Sequence, residues 1–154
     1  MDTPEPTNVI VLPYAGFWRR FCAMIIDIFV LFAAQMVFVF LTAVLSLFMG
    51  DSTAVKPLLT VLGTGFNFIL PWIYMAKLES SQKQASLGKM ALGIRVTDLQ
   101  GRRISFARAS GRYFGKILSG LLLLIGYLMA AFTQKKQALH DMMAGCLVVR
   151  REEN

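Results

Sequence analysis

Residues 17–50 read FWRRFCAMIIDIFVLFAAQMVFVFLTAVLSLFMG, and from Ile28 to Gly50 they carry no charged residue. A helix crosses the hydrocarbon of a bilayer with about 20 mainly apolar residues. This stretch meets that length, with Arg19 and Arg20 at its head and a single acid, Asp27, inside it. The apolar core of a secretory signal is shorter and would not hold an aspartate, so the segment reads as a retained anchor, a helix over 17–49. Further along, Pro57 to Ala76 is also free of charge and predicts a second helix over 57–78. Ile117 to Thr133 is a shorter charge-free stretch within a segment over 105–133.

Composition points the same way. A chain of 154 residues with 56% hydrophobic residues and a mean hydropathy of +0.57 holds more apolar surface than a soluble domain of this size hides. Without barrel-like alternation of polar and apolar residues, the expected fold is an all-α integral membrane protein in one domain. Cys22 and Cys146 have neither disulfide-framework nor metal spacing, and both are expected to be reduced. The Gly-Lys pair of SLGKMALG lacks the spacing of a phosphate-binding loop. His140 beside Asp141 reads as a capped or paired interfacial segment, with a pH-sensitive contact as the sharper reading. No nucleophile stands in a catalytic arrangement. The expectation is therefore no enzyme, no metal, no cofactor and no nucleic acid.

Charge sets the topology. Between Glu79 and Lys116 there are eight basic residues and two acids, which places that segment in the cytoplasm together with the N-terminus. The tail over 134–154 is also basic. Three spans leave it outside, whereas a shallow hairpin over Gly120 to Phe132 returns it inside. About three transmembrane helices is the preferred reading, since about 17 residues suffice for one crossing and not for two. Residues 1–16, rich in proline, read as a mobile leader. Gly93 to Phe106, with a turn signal at Asp98 to Gly101, predicts a small cytoplasmic β-hairpin in the segment 79–104, to which CLVVR at 146–150 can add a strand. No internal repeat is visible.

Arg20 and Asp27 lie seven residues apart and so share one helix face. In the second span Thr60, Gly63, Thr64, Asn67, Pro71 and Tyr74 follow helical spacing on one side. In antiparallel packing this brings Asp27 between the levels of Asn67 and Tyr74, both hydrogen-bond donors. A buried acid there is either a lock between helices or part of an ion path. Arg108, Arg112 and Lys116 form a fourfold-spaced stripe, read either as flanking charge or as a contact for anionic lipid headgroups.

Three blocks, YAGFWRRFCAMIID at 14–27, SLGKMALGIRVTDLQGRRIS at 86–105 and KKQALHDMMAGCLVV at 135–149, resemble in order the signature blocks of the RDD family of small prokaryotic multi-pass membrane proteins. The resemblance implies a bacterial cytoplasmic membrane location and a signature of Arg20, Asp27 and Asp141, with Arg19 adjoining the arginine position. It also implies suggested transport of unknown ligands, including cation/proton exchange. Joined to the residues, it makes Asp27 a carboxylate for exchange of a monovalent cation against protons, in a homo-oligomer or with a membrane partner. The competing class is a non-transporting interaction or assembly factor with a basic cytoplasmic face.

Overall fold

In a computed structural model, residues 13–49, 55–121 and 125–151 are described. Two long helices dominate: α1 (Phe17–Met49) and α2 (Val55–Glu79), about 50 and 37 Å long at the α-helical rise. Both are long and apolar enough to cross a membrane, and the most apolar stretch of each turns no residue into the protein interior. Phe48 is 86% exposed, and Phe29, Phe40 and Phe68 are exposed as well, so the apolar side chains point outward as lipid-facing ones do. Phe38 of α1 stacks on Phe66 of α2 at 4.0 Å between ring centroids.

The third apolar stretch is not one helix. It is divided between α4 (Phe106–Leu121) and α5 (Ile125–Phe132), with 122–124 outside the described residues. The chain has reversed between them: the Tyr127 hydroxyl donates to the Lys116 carbonyl at 3.1 Å, and Gly126 packs so closely on Ser119 that a Cβ would lie 2.8 Å from its Cβ. At about 24 and 12 Å, neither helix matches a hydrocarbon layer of about 30 Å. Among the described residues two helices are of spanning length, and the third span of the preferred reading is not confirmed.

The expected hairpin over 79–104 is corrected too. Asp98 to Arg102 does make the turn, closed by Asp98 N–H to the Arg102 carbonyl at 2.9 Å, with Gly101 at φ +79°. The returning residues form no strand, because Ile104 is drawn into the core and α4 starts two residues later. Instead β1 (Ile94–Asp98) pairs antiparallel with β2 (Cys146–Arg150), in the register Ile94 to Arg150 and Asp98 to Cys146. Residues 1–12 of the expected leader lie outside the described residues. Pro13 to Ala15 runs along the other edge of β2, with Ala15 N–H on the Val148 carbonyl at 2.8 Å.

Each strand follows a five-residue helix and a left-handed glycine. α3 (Leu87–Ala91) leads through Gly93 at φ +61° into β1, and α6 (Leu139–Met143) leads through Gly145 at φ +58° into β2. Only glycine takes this conformation without strain. Val96 faces Val148 at the centre of the pairing, so a pseudo-twofold axis through that pair exchanges the two units. The relation extends to the longer helices. Ala23 and Asp27 of α1 meet Gly88 of α3, while Gly115 and Ser119 of α4 meet His140 of α6. Among the described residues the two units therefore follow the same order, two helices, then a short helix, then a strand, with the second pair of helices the shorter.

Candidate functional site

The pseudo-twofold brings one end of α1, α2 and α4 against α3 and α6, and there the charged residues meet. Asp141, the third residue of α6, is fully buried; its Oδ2 accepts from Arg20 Nη1 and from the Ala138 N–H at 3.2 Å, and its Oδ1 accepts from Arg112 Nε at 2.7 Å. An acid three residues past the start reaches back to the cap N–H, which explains an aspartate here. Arg112 Nη1 continues to Glu79 Oε2 at 2.5 Å, and Glu79 Oε1 holds Lys89 Nζ at 2.5 Å, with Lys116 at 3.6 Å. The row from Arg20 through Asp141, Arg112 and Glu79 to Lys89 therefore ties five helices together. Planar guanidinium groups suit such a bridging position because they donate in two directions at once.

Burial alone would raise the Asp141 carboxyl, but Arg112 and Arg20 hold it below the usual carboxylate range, so it is ionised. Burial pulls His140 down to about 3, leaving it neutral. Its Nδ1 lies 3.3 Å from Ser119 Oγ and its Nε2 3.4 Å from Asp141 Oδ1, a row of serine, histidine and aspartate. It lacks the orientation of an activated nucleophile. Ser119 already donates to the Gly115 carbonyl at 2.9 Å, and Asp141 is engaged by two arginines rather than by the histidine.

Asp27 has a separate set of partners. Tyr74 Oη donates to it at 2.7 Å, Ser86 Oγ at 2.5 Å and the Gly88 N–H at 2.8 Å. Ser86 does not cap its own helix, so Asp27 of α1 supplies from outside the acceptor that the first turn of α3 lacks. Arg20 and Asp27 thus share a face yet engage different elements. Of the polar residues on α2, Tyr74 reaches Asp27, whereas Asn67 and Thr64 are exposed and donate to carbonyls of their own helix, at Gly63 and Thr60. Arg108 is exposed; Arg112 is buried against two carboxylates and is not free to meet headgroups; Lys116 is in between. Arg19 is exposed and outside the ion row, whereas Arg20 is part of it.

Glu79, Lys89, Ser86 and Gly88 complete the site and were not foreseen as site residues. Lys89 sits in SLGKMALG, and Glu79 is the acid that ends a helix otherwise free of acids; a charge of each sign at helix ends was the available signal. Between α1 and the α4–α5 hairpin lies a cavity of about 510 Å³, with Arg20, Lys89, Arg112 and Lys116 on its polar side and Phe17, Phe21, Met24 and Leu128 among its apolar lining. Asp27 and His140 also reach it. Among the described residues no group of three or more histidine, cysteine or acidic side chains is placed to hold a metal ion.

Two span-length helices, a sheet at one end and a buried ion row joining them define a small helical membrane protein. Residues 14–145 match the model of the RDD family, and the chain belongs to that family. It is 34% identical over 148 residues to the uncharacterized protein YxaI of Bacillus subtilis (strain 168), covering 88% of this chain and 96% of that one. It is 27% identical over 167 residues to the uncharacterized membrane protein YteJ of the same organism, covering 97% and 88%. No solved structure matches the chain.

Proposed function

We propose that this RDD protein is a membrane-embedded binding module of the bacterial cytoplasmic membrane, a non-transporting interaction or assembly factor with its sheet end in the cytoplasm. The observation that carries this reading is the state of Asp27. A carrier must release and rebind protons or cations at its acid, yet Asp27 is held by three donors in a joint where Gly88 packs against the Ala23 backbone. Thr60, Thr64 and Asn67 of the polar stripe on α2 spend their hydrogen bonds on their own helix. Exposed Arg19, Arg102, Arg103, Arg150 and Arg151 supply the basic cytoplasmic face. Exposed Asn67 on a span favours self-association, since an amide is better covered by protein than by lipid. No catalytic chemistry and no cofactor belong to this reading.

Exchange of a monovalent cation against protons is the second reading, favoured by the position of Asp27 on the cavity wall. Purified protein in liposomes under a pH gradient, given sodium, potassium or lithium, tests both. The binding module leaves the gradient intact with every cation. Dissipation by one of them, abolished in Asp27→Asn, would replace it with exchange.

A further inference from the structure

The cavity is unequally charged. Four cations reach it, Arg20, Lys89, Arg112 and Lys116, and three acids stand in or behind its wall, Asp27, Glu79 and Asp141. Asp27 is satisfied by two hydroxyls and an amide, and no cation is within ion-pair distance of it among the described residues. The deficit falls on Lys116. Among the described residues its one carboxylate contact is the 3.6 Å approach to Glu79 Oε1, an oxygen that Lys89 already occupies at 2.5 Å, and its other polar partner is Met75 Sδ at 3.8 Å. An ammonium group so poorly matched is costly within a membrane protein, and the cost falls when an anion enters beside it. Burial first, and then the neighbouring Arg112, pull Lys89 down to about 7 against the attraction of Glu79.

The apolar side of the cavity says what kind of anion. Phe21, Met24 and Leu128 are partly exposed at its rim, so it opens at the flank of the helices, where the bilayer is. Its depth is that of a membrane boundary: Arg20 is the fourth residue of α1 and Glu79 the last of α2. Phosphate groups of a leaflet lie at that level and meet basic side chains there.

We infer that the cavity binds one anionic phospholipid, its phosphate beside Lys116 and Arg20 and one acyl chain along Phe17, Phe21, Met24 and Leu128. The assignment rests on the reading of the protein as a binding module and names what the module binds.

The test is native mass spectrometry of the full chain released from nanodiscs of phosphatidylcholine doped with phosphatidylglycerol, with folding checked by circular dichroism. One phosphatidylglycerol per protomer is expected to survive release, in preference to phosphatidylcholine. Lys116→Gln should weaken its retention about five- to tenfold, as for one lost basic contact at the membrane surface. Leu128→Trp, which fills the chain-binding side without changing charge, should also release it. Arg108→Gln, on the same helix but outside the cavity, should retain it. Equal retention of phosphatidylcholine, equal losses in the Lys116 and Arg108 variants, displacement by inorganic phosphate, or tighter binding of oleate each overturns the assignment. Should Lys116→Gln not fold, Leu128→Trp alone decides: a folded variant that keeps the lipid overturns it. The liposome measurement is independent. Lost lipid selectivity without ion flux leaves the binding module standing, whereas selective retention together with cation-driven flux removes the module and keeps the lipid site.

Discussion

Asp27 acts as an acceptor for three donors, and its substitutions should rank by how many of them are left without a partner. Asp27→Ala strands the Gly88 N–H and both hydroxyls and should cost about 1–3 kcal/mol. Asp27→Asn keeps an oxygen for Gly88 and can donate to a hydroxyl, so its loss should be smaller; denaturant titration in detergent micelles measures both. His140 makes a pH prediction. It is neutral when folded, down to about 3, while an unfolded histidine takes a proton near pH 6.5, so the unfolded chain binds the extra proton between these values. Stability from this residue is complete above about pH 6.5 and declines as pH falls toward 3. Thermal melts of His140→Gln should show a flatter dependence in that window than the parent. Asp141 adds its own loss as pH falls below about 4, where the unfolded carboxylate takes a proton and the folded one, held below the ordinary range, does not.

Among the elements, α3 and α6 are too short to persist alone, and each is held by the long helix it touches. Their contacts are similar in plan and unequal in tolerance. At Gly88 a Cβ would overlap the Ala23 carbonyl, a backbone atom that cannot move alone, and would come within 3.0 Å of Asp27 Cγ. At Gly115 a Cβ would meet the His140 Cβ at 3.1 Å, a contact that a small shift can ease. Gly88→Ala should therefore destabilise by about 1–3 kcal/mol, and Gly115→Ala by clearly less. Equal losses in denaturant titrations would contradict the inequality. The ion row makes a companion prediction: Glu79→Gln leaves Lys89 and Arg112 without their shared carboxylate and should cost about 3–5 kcal/mol, the range for breaking one side of a buried pair.

At the scale of the whole molecule, pairing of β1 with β2 requires both strands on one side of the membrane, so the chain between them crosses an even number of times or not at all. Proline 13 to Ala15, docked on β2, puts the start of α1 on that same side. Single cysteines at Arg102 and at Arg151, in a chain lacking Cys22 and Cys146, should then respond alike to an impermeant reagent in intact cells. Opposite labelling would mean three crossings and would rule out the paired sheet in the membrane-inserted protein.

The sequence by itself determined the membrane class and the start of α1 at Phe17, because both follow from local apolar length and the position of charges. It also singled out Asp27, since an acid within an apolar run stands out without knowledge of its partners, while Asp141 entered through the resemblance to the RDD signature blocks. Tertiary structure alone decided the pairing of Ile94–Asp98 with Cys146–Arg150 and the packing of α5 back on α4. It also decided that Arg112 is buried rather than a headgroup contact. In each case the deciding contact joins residues far apart in the chain, such as Arg112 with Glu79 and Asp141, so helical spacing reported which face a side chain occupies and not what stands opposite it.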